Sequence, residues 1–146
     1  MSGSGVAKFT PVYPPLVKDC WGEASKYLEK ACDTSNGRYD GAALRGEIDC
    51  GSQTLWILYR DEDEMIGAAT TGFSNYPLKR YMTVTFAGSN NESCWLKYRD
   101  IVMLSFIEWA KSNNCSGIEI VGREGWLKVL KPFDAKQSSV TIEMEI

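Results

Sequence analysis

The sequence contains no histidine. A chain without imidazole has no histidine general base, no Ser-His or Cys-His nucleophile pair, and none of the imidazole ligands that most catalytic zinc sites use. Its five cysteines are odd in number and form no Cys-x-x-Cys pair, so neither a disulfide framework nor a metal site is predicted. Several common catalytic classes are therefore excluded before any fold is considered.

Long apolar runs and clustered positive charge are also missing. No stretch approaches the roughly 18 apolar residues of a membrane-spanning helix, and the N-terminus lacks the basic and apolar segments of a signal peptide. Acidic residues outnumber basic ones by 19 to 16, whereas binding to nucleic-acid phosphates needs clustered Lys and Arg. We therefore expect no membrane partner, no nucleic-acid partner and a cytoplasmic location.

What remains has the composition of one globular domain. The 146 residues are 44% apolar and 24% charged, which suits a single hydrophobic core. Residues 1–15 hold three of the five prolines and predict a flexible, extended lead-in. Residues 16–146 then form the domain, with no repeat and no internal boundary.

Two helices are predicted at the start of this domain. From Leu16 to Cys32 apolar residues recur every three or four positions, as on one face of a helix. A shorter helix is predicted from Asp40 to Cys50, with Asp40 as its N-cap and Gly51 as its left-handed stop.

A strand meander follows. Thr54–Tyr59 and Met65–Thr71 are apolar or β-branched and flank an acidic turn at Asp61–Glu64, which predicts a hairpin. A third strand is predicted over Tyr81–Phe86, followed by a polar loop at Ala87–Asn91.

The last third of the chain alternates helices and strands. A long helix is predicted from Glu92 to about Asn113, then a strand at Gly117–Val121 and a short helix at Gly125–Leu130. In Val140–Ile146 apolar and polar residues alternate, a period of two that predicts a closing, half-exposed strand.

This order of elements resembles the layout of the GNAT (N-acetyltransferase) superfamily over residues 16–146. Three segments resemble its local patterns: Glu64–Ala69 at the entry to the third strand, Ala110–Ile120 from long helix to fifth strand, and Lys128–Phe133 after it. The resemblance implies an α+β, GNAT-like acyl-CoA N-acyltransferase fold, with a central mixed β-sheet flanked by helices. Any ligand should then enter where the fourth and fifth strands separate.

A finer resemblance concerns small GNAT-like proteins often encoded by bacteriophages. It lies in Leu55-Trp56, Tyr76-Pro77 and Gly122–Trp126. Two alternatives follow. The chain is an acyl-CoA-dependent N-acetyltransferase with degenerate motifs, acting on a small-molecule or peptide amine, or a catalytically silent bacteriophage protein with a virion, assembly or host-interaction role. The second alternative implies a location in the host cytoplasm or the virion.

The predicted site for acetyl-CoA follows from the resemblance. In the superfamily, a glycine-rich loop and the N-terminus of the long helix direct backbone N–H groups at the pyrophosphate. The matching loop here has one glycine, and Glu92 would oppose a phosphate at the helix start. Arg123 would bind a phosphate or carboxylate, and the Trp126 ring would stack on an adenine or acyl group. The predicted cofactor-binding residues are Ala87, Gly88, Ser89, Asn90, Asn91, Glu92, Ser93, Lys97, Arg123 and Trp126.

Each feature of that site has a structural alternative. Ser89 and Glu92 stand at capping-box spacing, so they would satisfy the first N–H groups of the helix with no ligand. Gly122 and Gly125 would likewise form a tight turn that packs Trp126 into the core.

Two residues are candidate catalytic groups. The superfamily's acid is commonly a tyrosine on the helix after the fifth strand, and the matching position is Lys128. Glu119 on the predicted fifth strand is the candidate base, and Tyr76, Tyr81 or Thr83 should lie near the acceptor groove. The alternative is that Glu119 lies on the solvent face of its strand.

Trp21 stands apart from the other tryptophans because it lies off the apolar stripe of the first helix. With Tyr13 and Pro14-Pro15 nearby, it predicts an exposed patch for a protein partner.

Overall fold

A computed structural model describes residues 7–90, 94–122 and 125–146 of the chain. The described strands are β1 Ala7–Pro11, β2 Thr54–Arg60, β3 Glu64–Asn75, β4 Arg80–Ser89 and β5 Gly117–Ile120. The described helices are α1 Val17–Cys32, α2 Gly41–Asp49, α3 Cys94–Lys97, α4 Arg99–Ser112 and α5 Gly125–Val129. The strands form one sheet in sequence order, antiparallel except for the parallel pair of β4 and β5. The α+β class and the mixed sheet are confirmed.

The two N-terminal helices begin and end close to their predicted limits. The Asp40 carboxylate accepts a 2.8 Å hydrogen bond from the backbone N–H of Ala43, which caps α2. Gly51 has a φ of +87° just after this helix, a left-handed conformation that glycine adopts without strain.

Apolar layers cover both faces of the sheet. On one face Leu28 of α1 and Leu44 of α2 pack with Ile57 of β2. On the other, Trp56 of β2 lies with its ring centroid 5.1 Å from that of Phe106 of α4. Side chains alternate between the faces of a strand, so adjacent residues of β2 serve the two layers.

The long helix is described from Cys94 onward and is interrupted at Tyr98. Its helical hydrogen bonds continue through that residue, from Tyr98 N–H to Cys94 and from Val102 N–H to Tyr98. The interruption is therefore confined to the backbone of Tyr98, between α3 and α4. The predicted start at Glu92 lies outside the described residues.

The prediction of a flexible lead-in over residues 1–15 is wrong for Ala7–Pro11. Ala7–Pro11 is strand β1, paired antiparallel with Trp56–Arg60. Phe9 is buried and stacks on Trp56 with ring centroids 5.1 Å apart. The prolines stand at the end of the strand and beyond it, where they do not interrupt a ladder.

The predicted loop at Ala87–Asn91 is also wrong over its first three residues. Ala87, Gly88 and Ser89 continue β4 and pair with Gly67–Ala69 of β3. Both strands carry small residues there, so the sequence resembles a loop while the backbone extends the ladder.

The closing strand predicted at Val140–Ile146 is not formed. The described chain after Phe133 has no regular secondary structure. Alternation predicts a two-faced segment, but a strand also needs a backbone edge to pair with, and no described strand pairs with this segment.

None of the described helices is both long and apolar enough to cross a membrane.

Candidate active site

The parallel strands β4 and β5 are paired over only part of their length. Pairing runs from Tyr81 opposite Gly117 to Val84 opposite Ile120, and the N–H of Val121 bonds the carbonyl of Val84 at 3.2 Å. Strand β4 then continues to Ser89 without β5 beside it. The two strands therefore separate after Val84.

A β-bulge marks the point of separation. Thr71 pairs with Val84 and Thr70 with Phe86, so Thr85 has no residue opposite it on β3. A bulge bends its strand and increases the local twist. The bend coincides with the end of the β4–β5 ladder.

Glu119 lies beside this opening at the centre of a hydrogen-bond cluster. One of its carboxylate oxygens accepts a bond of 2.7 Å from the Tyr76 hydroxyl and one of 2.9 Å from the Thr83 hydroxyl. Ser74 completes the cluster, because its hydroxyl lies 2.6 Å from that of Thr83. Thr83 donates to Glu119, so Ser74 is the donor to Thr83.

The fold explains why these four residues meet. Thr83 and Glu119 are direct neighbours in the β4–β5 ladder, and Ser74 on β3 lies one strand away. Tyr76 is held at the β3–β4 turn by the bond from its N–H to the Lys79 carbonyl at 2.8 Å. Sequence analysis named Glu119 as the base and placed Tyr76, Tyr81 or Thr83 near the acceptor groove. It missed Ser74.

The cluster perturbs Tyr76. Its hydrogen bond to the Glu119 carboxylate, followed by desolvation and the Glu119 charge, raises the pKa of Tyr76 above 10.0. The bond to the neutral phenol is complete at lower pH and is lost as the pH rises through this raised pKa.

We expect Glu119→Gln to bring the pKa of Tyr76 down toward its ordinary value, because an amide is a weaker acceptor and carries no charge. The measurement is a pH titration of the tyrosine Cζ chemical shifts by NMR. Glu108→Gln makes the same substitution at an exposed carboxylate of α4 and should leave Tyr76 unchanged. A pKa of Tyr76 that is the same in both variants would contradict the contact.

A second polar chain lies under the bulge. The hydroxyl of buried Thr70 is 2.7 Å from that of Thr85, which donates to the side-chain carbonyl of Gln53 at 2.8 Å. The unusual sequence signal was a Thr-Thr pair inside an otherwise apolar strand, since buried hydroxyls need hydrogen-bond partners. Gln53 could not be found from its local sequence.

The structure gives several predicted cofactor residues other roles. Gly88 lies against α1, where an added Cβ would be 2.3 Å from the Tyr27 carbonyl oxygen. The N–H of Asn90 bonds the carbonyl of Ile66 at 2.9 Å, so it is not directed at a ligand. The Asn90 side chain accepts from the Cys94 thiol at 2.9 Å. The predicted residues outside the described ranges are Asn91, Glu92, Ser93 and Arg123.

The backbone of Ala87 is oriented differently. Bonded pairs alternate along an antiparallel ladder. Because Asn90 bonds to Ile66, Gly88 also faces β3 and Ala87 directs its N–H and carbonyl to the opposite edge. That edge borders the opening between β4 and β5.

The remaining predicted residues lie on helices α3 and α5. Lys97 is exposed, with its ammonium 5.3 Å from the centroid of the Tyr98 ring. Trp126 is half-buried beside Trp95, with ring centroids 6.2 Å apart. Lys128 is exposed on α5, and its catalytic role stays a prediction.

The patch predicted around Trp21 is only partly exposed. The Trp21 ring is half-buried on α1, and the Arg45 guanidinium lies 5.7 Å from its centroid. Tyr13 and Leu16 are exposed nearby in sequence.

Two cavities have linings that include none of the Glu119 cluster. One of about 340 Å³ is lined by Glu29, Cys32 and Asp40 among others, and burial raises the pKa of the Cys32 thiol. Another, of about 420 Å³, is lined mainly by apolar residues such as Val17 and Leu55. Within the described ranges, no three His, Cys, Asp or Glu side chains are grouped so that they could hold a metal ion.

No protein-family model matches the chain, and neither does any curated protein. Solved structures do match. A predicted acetyltransferase with acetyl-CoA from Clostridium acetobutylicum is 12% identical, with a TM-score of 0.66 over 96% of each chain. A GNAT family acetyltransferase from Staphylococcus aureus is 15% identical, with a TM-score of 0.60 over 99% of this chain and 100% of that one.

A third solved structure carries a different description. A transcriptional regulator from Bacillus halodurans C-125 is 13% identical, with a TM-score of 0.66 over 97% of this chain and 100% of that one. At these identities the similarity establishes architecture and not activity. The chain has the fold of the GNAT acetyltransferases.

Proposed function

We propose that the protein is an acyl-CoA-dependent N-acyltransferase that acts on a small-molecule or peptide amine. The observation that carries this proposal is the Glu119 carboxylate, held by Tyr76 and Thr83 beside the opening between β4 and β5. A positioned carboxylate with one open side is suited to accept a proton from an amine.

The edge of β4 fits an acyl-CoA. The pantetheine arm of the cofactor carries amide groups, and the outward backbone of Ala87 offers one donor and one acceptor, as for an added strand. The bonded N–H of Asn90 does not fit a pyrophosphate, so among the described residues a phosphate contact would fall to a cationic side chain such as Lys97. Arg123 is the second predicted cation. Acetyl-CoA, when bound, supplies an acyl group on a thiol leaving group.

The residues of the chain would then act on the amine. Glu119 accepts the proton that the amine nitrogen loses as it bonds to the acyl carbon. Tyr76 and Thr83 fix the carboxylate in position through their two hydrogen bonds. Lys128 is the predicted source of the proton for the departing thiolate.

Titration calorimetry of acetyl-CoA into the full chain tests the first step. We expect measurable binding that weakens about tenfold when both Lys97 and Arg123 are replaced by alanine, because charge-assisted bonds to phosphate are lost. Lys8→Ala removes one exposed lysine from β1, at the other end of the sheet, and should bind as the unmodified chain does. An absence of heat at millimolar acetyl-CoA would overturn the proposal.

A second candidate is a catalytically silent protein of the same fold, with a virion, assembly or host-interaction role if the chain is bacteriophage-encoded. The hydrogen bond of Asn90 and the packing of Gly88 bear only on the catalytic silence of this candidate, because both remove elements of a phosphate-binding loop. Its protein partner would contact the region of Trp21 and Tyr13. The calorimetry separates the two candidates, since the silent protein binds no acetyl-CoA.

A further inference from the structure

The outer edge of β5 has no described strand beside it. The sheet ends at β5 in the order of its strands, so one row of its backbone N–H and carbonyl groups has no ladder partner among residues 7–90, 94–122 and 125–146. All four residues of β5 are half-exposed, whereas Met82 and Val84 of neighbouring β4 are buried. A free edge of this kind is a template for another strand.

The end of the same chain holds a segment with the matching character. In Val140–Ile146 four apolar side chains alternate with polar ones, and they are 70%, 92%, 82% and 115% exposed. Such exposure is costly for a regular apolar face, and large exposed apolar patches mark interaction sites. The segment has the pattern of a half-buried strand but has no partner strand, among the described residues, with which its backbone pairs.

The faces of the two segments are complementary. Ile118 and Ile120 of β5 pack against the core on the α4 side of the sheet, and Glu119 points to the other side with Thr83. If residues 140–146 add to β5 so that their apolar side chains face the α4 side of the sheet, those side chains lie beside Ile118 and Ile120. A shift of one residue would reverse every side chain, so the alternation selects the register.

Within one chain the segment is held elsewhere. Glu143 pairs with the Arg38 guanidinium and accepts a 3.0 Å hydrogen bond from the Asn36 side chain, both in the connection between α1 and α2. This anchor leaves the four apolar side chains exposed.

We propose that residues 140–146 of one copy add as a strand to the outer edge of β5 of a second copy. If the exchange is reciprocal about a twofold axis, each copy gives one strand and accepts one. Both free edges and both apolar faces are then covered, and the assembly closes as a dimer. In a single chain the contacts of Glu143 hold the segment elsewhere. At higher protein concentration a second copy offers its own β5 edge, to which the segment can add.

The test is light scattering on size-exclusion chromatography of the full chain over a concentration series. We expect a dimer, and Ile142→Glu should raise its dissociation constant about a hundredfold or more, because an unpaired charge would be buried. Thr141→Glu adds the same charge one residue away on the opposite face and should leave the dimer intact. Circular dichroism of both variants checks that each remains folded.

Hydrogen exchange identifies the interface. The backbone amides of residues 140–146 should be protected in the dimer and lose protection on dilution. A chain that stays monomeric throughout, or a dimer that Ile142→Glu does not weaken, would overturn the proposal. Protected amides in a monomer would also overturn it, because the segment would then dock on its own chain.

Discussion

Gly88→Ala is expected to destabilise the protein by about 3 kcal/mol, at the upper end of overpacking penalties. The added Cβ would lie 2.3 Å from the carbonyl oxygen of Tyr27 and 2.9 Å from its carbonyl carbon. Both atoms belong to the backbone of α1, so relief requires the helix to move off the sheet. Interiors are packed too tightly to absorb such a shift without losing other contacts.

Thermal unfolding followed by circular dichroism measures this effect, and a loss of this size lowers Tm by roughly 10 °C. Gly46→Ala is the matched control, since an added Cβ there has nothing within 4 Å and the site is inside α2. It should stabilise the chain by about 0.5 kcal/mol or more, because alanine is the better helix former. Equal stability of the Gly88→Ala chain would mean that α1 does not approach β4 so closely.

Gly88 also shows why the cofactor loop could not be predicted in detail. A single glycine before a long helix is compatible with a phosphate-binding turn, but glycine is equally required where two backbones meet. The sequence shows that a side chain is missing and does not show which neighbour excludes it. Only the position of Tyr27 decides between the two uses.

The elements that sequence analysis placed correctly are those with local signals. The Asp40 cap, the Gly51 stop and the β2–β3 hairpin each depend on residues within one turn or one short connection. The errors concern non-local pairing. Strand β1 pairs with residues about 50 positions away, and the segment at Val140–Ile146 has a strand pattern without a ladder.

Only part of the candidate site could be predicted from the sequence. Glu119 was a candidate base on the predicted fifth strand, and Tyr76, Tyr81 or Thr83 were expected near the acceptor groove that the family resemblance implies. Their hydrogen bonds depend on the register between β4 and β5, which pairs Thr83 with Glu119. A parallel register across a helix has no local signal. Ser74 and the bulge at Thr85 belong to the antiparallel β3–β4 ladder, where the register shift has no local signal either, so neither could be assigned.

Glu119→Gln is expected to lower kcat for acyl transfer about a hundredfold or more, while acetyl-CoA binding stays unchanged. General-base catalysis contributes roughly 10²–10⁴ in rate, and the amide keeps the shape of the side chain without accepting the proton. Because the amide oxygen can still accept from Tyr76 or Thr83, the cluster should stay folded. The measurement is mass-spectrometric detection of acylated product across a panel of amines.

Two variants make the kinetic result specific to proton transfer. Glu108→Gln changes an exposed carboxylate on α4 and should keep full activity. Tyr76→Phe removes one of the two hydrogen bonds that hold Glu119 but leaves its carboxylate, so kcat should fall less than in Glu119→Gln. If Glu119→Gln transfers acyl groups as fast as the unmodified chain, the base lies elsewhere. If the unmodified chain binds acetyl-CoA and no amine is acylated, the opening between β4 and β5 is a binding site and Glu119 has no proton to accept.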